Sequence, residues 1–191
     1  MGKQGSFIKR FTDILISLFS LIISSPLFLI TAIAIKVDSA GPVFFLHERT
    51  GLNGRTFKMI KFRGMIDNAL SYGPGITQVN DPRITKVGWF LRRTSIDELP
   101  QLINVLKGEM SIIGPRPEIT SITSTFNDYQ KNVFKYLPGI TGISQINGRQ
   151  TLTPKERTAM EIKYYSNETF VGDLKIFLKT FWVIISNKGN L

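Results

Sequence analysis

Between Ile14 and Ile35 the chain reads ILISLFSLIISSPLFLITAIAI, with no charged side chain. The run matches the ~20 apolar residues needed to cross a hydrocarbon core, so any fold for this chain must include a membrane-facing segment. It is too long for a cleaved signal peptide and has no small-residue cleavage site before Lys36. Ser25-Pro26 falls at its middle. Proline lacks the N–H that continues a helical ladder, and its ring crowds the preceding turn. A serine hydroxyl can satisfy the carbonyl so freed, as hydrocarbon demands. Basic residues flank both ends, with Lys3, Lys9 and Arg10 before and Lys36 after. The positive-inside tendency keeps both flanks on one side only if the segment turns back. Each half, about 11 residues, makes roughly 16 Å of helix. That reaches about the midplane of a ~30 Å core. Two topologies stay open from these residues: a re-entrant helix-break-helix, or a spanning helix with a tolerated proline kink.

The rest of the chain must supply the chemistry, and composition narrows it. There is no cysteine and one histidine, His47, among 191 residues. Disulfides, thiolate catalysis and cysteine-ligated metal sites are excluded, and a reducing compartment is consistent with that. His47 reads as structural or solvent-exposed rather than catalytic. A carboxylate is therefore the expected nucleophile or metal ligand. The formal net charge of +10 implies an anionic partner: nucleic acid, anionic lipid or a phosphorylated substrate.

Turn clusters divide the chain into short elements. Ser39-Ala40-Gly41-Pro42 is a turn, and Val43–Phe45 and Phe57–Phe62 read as strands around a Gly51–Gly54 turn. Residues 71–82 form a loop, and Ile84–Arg93 has helical spacing. A helix from about Asp97 to Leu106 should end at Lys107-Gly108. Ile119–Tyr136 reads as a helix, as does Pro154–Tyr165 with Thr153 as its N-cap. The last apolar segment, Asp173–Ser186, is too short and too charged to span; it reads either as an interfacial helix or as a core helix. No linker is long enough to divide the region after the membrane segment.

The best-placed carboxylates are Asp97 and Glu98, in Leu91-Arg92-Arg93-Thr94-Ser95-Ile96-Asp97-Glu98-Leu99-Pro100-Gln101. Ser95-x-x-Glu98 also matches a capping box. Pro100 opposes that register, because it would fall at the fifth helical position. A start at Asp97 puts Pro100 in the first turn and the aspartate at the positive end of the helix dipole. An ionised carboxylate there can attack phosphorus or hold a divalent cation. Arg49, Lys61, Arg63, Arg92, Arg93, Arg116 and Arg149 stand near glycines or prolines, where a guanidinium fork and an open backbone suit phosphate oxygens. The bland alternative is a basic surface facing anionic lipid. Gly51-x-x-Gly54 is not followed by Gly-Lys-Ser/Thr and is no phosphate-binding P-loop.

Taken in order, Lys61-Phe62-Arg63-x-Met65, the Arg92–Gln101 run, Asn104–Pro117 (NVLKGEMSIIGPRP) and Pro138-Gly139-Ile140-Thr141-Gly142 through Asn147-Gly148-Arg149 resemble the bacterial sugar transferases, the small monotopic phosphoglycosyl transferases. The resemblance covers essentially the whole chain. It implies an α/β fold, α-rich with a few short strands. A re-entrant membrane helix-break-helix (1–38), broken at Ser25 and Pro26, would pack on a small cytoplasmic catalytic domain (39–191) with interfacial amphipathic helices. It implies transfer of a sugar-1-phosphate from a UDP-sugar to undecaprenyl phosphate at the cytoplasmic face of the bacterial inner membrane. UMP would be released, opening assembly of a capsule, exopolysaccharide, O-antigen or glycoprotein glycan. By that pattern Asp97 is the nucleophile of a covalent phosphosugar intermediate, Glu98 helps hold Mg²⁺, and Arg92 binds phosphate, with Lys61, Arg63, Arg116 and Arg149 as further phosphate contacts. Leu137, Gly64 and His47 depart from the family's frequent arginine, serine or threonine, and glutamine.

Two other functions compete: a membrane-anchored basic adaptor without catalysis, and a Mg²⁺-dependent phosphohydrolase of nucleotide sugars. Nucleic acid is not an expected partner, since no recognisable module or lysine-dense tract is present. The donor sugar, the glycan and homo-oligomer formation are not encoded in any motif.

Overall fold

The computed structural model describes residues 7–73, 77–78, 81–148 and 151–186. Helix α1 (Phe7–Asp38) spans 32 residues with Pro26 inside it. Ser25 and Pro26 therefore lie within one helix, not between two as expected. The local reason is chemical. Proline's missing N–H would have served the Ile22 carbonyl, and the Ser25 hydroxyl donates to that carbonyl at 2.8 Å. Next to it, Ser24 Oγ donates to Ser20 O at 2.6 Å.

One stripe of α1 faces the protein. Asp13, Ser17, Thr31 and Ile35 are buried, and Leu21 and Phe28 pack on the two cores, a spacing of three and four that keeps one helical face inward. The opposite face leaves Phe19, Ile22, Ile23, Leu29 and Ile30 exposed. Both ends are tied to the same body. Arg10 donates to Val105 O (2.7 Å) and Leu106 O (3.1 Å). Asp13 accepts from Ser111 Oγ (2.7 Å) and the Ile112 amide (3.1 Å). At the far end, Asp38 accepts from the Val87 amide at 2.9 Å.

The expected strand pair is a hairpin, β1 (Phe44–Thr50) antiparallel to β2 (Thr56–Phe62), with Phe45 opposite Lys61, His47 opposite Met59 and Arg49 opposite Phe57. Opposed residues share a face, so Lys61, His47 and Arg49 form one row. The outer edge of β2 is covered by Asn104, fully buried, whose amide accepts from the Ile60 N–H and donates to Lys58 O, both at 2.9 Å.

Helix α2 (Lys86–Thr94) is capped by Thr85, and Gly88 presses it onto the chain after β2: a Cβ there would lie 2.0 Å from the Gly64 carbonyl oxygen. The helix expected from Asp97 is divided. Ile96–Glu98 form a 3₁₀ turn, Pro100 is the N-cap, and α3 covers Gln101–Lys107 before Gly108 at φ 82°. A parallel pair, β3 (Ser111–Ile113) and β4 (Gly139–Thr141), was not expected.

The helix expected over Ile119–Tyr136 is instead α4 (Thr120–Thr123) and a separate 3₁₀ turn, Gln130–Lys135. Thr123, Ser124 and Thr125 hydroxyls bond carbonyls three residues back, and Asn127 and Gln130 cap each other, so local side-chain bonds replace the ladder. Helices α5 (Ile143–Ile146), α6 (Pro154–Tyr165) and α7 (Phe170–Ser186) complete the chain, α6 with the expected Thr153 cap and Pro154 start. One face of α7 is core, with Ile176 buried, while Leu178, Phe181 and Trp182 on the same helix are exposed. The fold is thus helix-rich with a few short strands and one long apolar N-terminal helix.

Candidate active site

Ser95 sets the geometry of the acid pair. It closes α2 in the left-handed region (φ 58°), which non-glycine residues seldom occupy, and its N–H bonds Arg92 O. The chain is thereby turned so that Ile96–Glu98 wind against β2. The capping-box alternative is not realised, since the Ser95 side chain makes no cap bond. Glu98 instead accepts from Lys61 Nζ at 2.8 Å, and Asp97 lies 3.9 Å from the same ammonium. Asp97 and Glu98 are 13% and 24% exposed at the side chain, so both are sheltered yet reachable.

On one side of the pair stands Arg92, from the last turn of α2. It donates to Thr77 Oγ1 at 3.0 Å. Burial lowers its pKa, and the charges of Asp97 and Asp81 oppose that fall. On the other side the hairpin row continues into a basic cluster. Arg49 donates to Pro117 O at 3.0 Å and meets His47 Nδ1 at 3.1 Å. Desolvation, with Arg116 nearby, brings Arg49 down to about 10, still charged at neutral pH, and Glu98 favours that charge. Burial, then Arg49 and Lys61, push His47 down to about 4. It is therefore neutral and able to accept the arginine's hydrogen bond.

Arg116 belongs to this cluster through Arg49 and Arg157. Its amide donates to Glu161 Oε1 at 2.9 Å, and Ser144 Oγ donates to the same oxygen at 2.6 Å. Glu161 is 1% exposed, and desolvation raises it to about 7. A small cavity beside it is lined by Arg116, Glu118, Tyr136 and Glu161, but not by Asp97 or Glu98.

Of the residues singled out from sequence, the structure brings Lys61, Arg92, Asp97 and Glu98 together and places Arg116 one arginine away. Arg63 is elsewhere: buried, it holds the carbonyls of Ser39 (2.8 Å) and Ala40, fastening the turn after α1. Arg149 lies outside the described residues. Sequence reasoning missed Arg157, Glu161 and the Asp81–Arg83 pair. The spacing of Arg157, Glu161 and Tyr165 by fours on α6, all buried, was a signal that a polar group enters the core there.

Among the described residues no three acidic or histidine side chains cluster as a metal cage. Two adjacent carboxylates nevertheless suit Mg²⁺, a hard cation commonly held by one or two carboxylates together with substrate phosphates and water.

Comparison with known proteins agrees with this frame. A family model described as bacterial sugar transferase matches residues 4–187. Exopolysaccharide production protein ExoY of Sinorhizobium fredii is 36% identical over 97% of this chain and 89% of its own length. The UDP-glucose:undecaprenyl-phosphate glucose-1-phosphate transferase of Escherichia coli is 40% identical over 99% of this chain and 42% of its own. An Aeromonas hydrophila UDP-N-acetylgalactosamine-undecaprenyl-phosphate N-acetylgalactosaminephosphotransferase is 39% identical over 96% and 45%. The chain belongs to the bacterial sugar transferase family.

Proposed function

We propose that this protein transfers a sugar-1-phosphate from a UDP-sugar to undecaprenyl phosphate through a covalent intermediate on Asp97, as an opening step of bacterial polysaccharide assembly. The observation that carries the reading is Lys61 held between Asp97 and Glu98, with Arg92 alongside. A carboxylate approaching a diphosphate meets like charge, and the cations around this pair offset it. In the first displacement an Asp97 oxygen attacks the β-phosphorus. The bond from that phosphorus to the bridging oxygen breaks, and UMP leaves with the oxygen. In the second, a phosphate oxygen of the lipid attacks the same phosphorus and the carboxylate departs, restoring the enzyme. Bound Mg²⁺, held by Glu98 and the diphosphate, would supply charge neutralisation. Lys61 and Arg92 orient the donor, and Arg116 adds positive charge beside Arg49.

The membrane reading follows from α1. A helix crossing a bilayer would put Arg10 and Asp38 on opposite sides, yet both bond the same domain. That shared anchoring supports a segment that stays on one side of the bilayer rather than crossing it, with its Ile, Leu and Phe face in lipid. The cationic domain sits at the cytoplasmic face, where both substrates meet.

The test is incubation of the membrane-embedded protein with UDP-sugars, Mg²⁺ and undecaprenyl phosphate. UMP and a lipid diphosphosugar are expected, and Asp97→Asn should lose the phosphosugar adduct seen by mass spectrometry, with turnover down at least about 10³-fold. Release of UDP instead of UMP, or turnover of the donor without lipid acceptor, overturns the assignment.

A further inference from the structure

Arg92, on the last turn of α2, feels the charge of Asp97, and a hydroxyl from outside that helix bonds its guanidinium. The segment between β2 and α2 is stapled by one carboxylate. Asp81 accepts from Arg83 Nε (2.8 Å) and Nη2 (2.6 Å) as a two-pronged pair, from the Arg83 amide (3.1 Å) and from the Gln78 amide (3.3 Å). Arg83 Nη1 donates to Ala69 O at 2.9 Å, tying the two halves of the segment together. Both residues are 6% exposed. Thr77, the neighbour of stapled Gln78, turns its hydroxyl to Arg92 Nη1 at 3.0 Å. Under Arg92 lies Gly64, where a Cβ would come within 3.2 Å of Arg92 Nε. The guanidinium is thus bounded by a backbone on one side and held by a hydroxyl on another.

We infer that Thr77, fixed by the Asp81–Arg83 staple, is a positioning residue that aims Arg92 at the diphosphate of the donor. This rests on the transferase reading of the site. A guanidinium in a mostly desolvated place keeps one geometry only when its donors are directed, and a threonine oxygen directs one of the five. Thr77 itself touches no reacting atom.

The test uses the full chain in detergent or nanodiscs and reads UDP binding, in the presence of Mg²⁺, by calorimetry. Thr77→Val keeps the side chain's shape and removes the acceptor, and it should weaken UDP about ten-fold, the loss expected for one charge-assisted hydrogen bond. Thr77→Ser should restore affinity. In an Arg92→Ala background the valine change should add nothing, which a general structural role would not produce. Unchanged UDP affinity in Thr77→Val, or losses that multiply in the double variant, overturn the proposal. A wild-type chain that shows this coupling but releases no UMP would overturn the transferase reading and leave the positioning role standing.

Discussion

A buried carboxyl and a half-buried imidazole near the site should oppose each other between pH 4.5 and 6.5. Glu161 rises from 4.5 to about 7 by desolvation, with Arg116 and Arg157 only partly offsetting it. An acid raised in the folded state stabilises fully below its unfolded pKa and loses that contribution as pH climbs through the folded value. That difference between the unfolded and folded values corresponds to about 3 kcal/mol of stability lost from pH 4.5 to 7. His47 falls from 6.5 to about 4, through burial and then Arg49 and Lys61. A base depressed in the folded state has the opposite sign: the unfolded chain takes up the proton first, so stability falls as pH drops from 6.5 to 4. Its magnitude is at most about 3 kcal/mol and less for a half-buried ring screened by solvent. The wild type should therefore show a shallow dependence across this window. Glu161→Gln retains an acceptor for the Arg116 amide and Ser144, and should expose the histidine slope, with stability decreasing toward acid. His47→Gln should expose the glutamate slope, with stability increasing toward acid. The assay is urea unfolding of the detergent-solubilised protein at half-unit pH steps, each variant referred to wild type so that other carboxylates cancel. Curves for Glu161→Gln and wild type that stay parallel from pH 4.5 to 7 would refute the claim that this carboxyl is buried and neutral.

Lys61→Met removes the ammonium shared by Asp97 and Glu98 while keeping the stem's packing, and UMP release should fall by about 10–100-fold with little change in Tm. Gly88→Ala places a methyl 2.0 Å from the Gly64 carbonyl, so α2 must shift, and the melting curve should show a loss of about 1–3 kcal/mol or more. Ser25→Ala strips the Ile22 carbonyl of its donor and should cost about 1 kcal/mol in a reversible unfolding assay. In a Pro26→Ala background the restored N–H serves that carbonyl, and the same change should cost almost nothing.

Several features were legible without coordinates because their causes lie within a few residues. The uncharged run announced α1, Thr153-Pro154 announced the start of α6, and Gly108 the end of α3. The Asp97-Glu98 pair in its basic frame marked the candidate site, since cysteine was absent and histidine nearly so. What sequence could not convey is long-range. The 3₁₀ winding at Asp97 depends on Ser95 in a left-handed conformation and on β2 lying beneath it. Arg63, as basic and glycine-flanked as its neighbours, was drawn to the turn after α1 by carbonyls more than twenty residues away. Arg49, Arg116 and Arg157 converge from β1, the loop after β3 and α6, and β3 pairs with β4 across an intervening segment. Local spacing selects each element because hydrogen bonds and caps form between near neighbours. Which charged groups share a dry space is decided only when distant elements pack and exclude water.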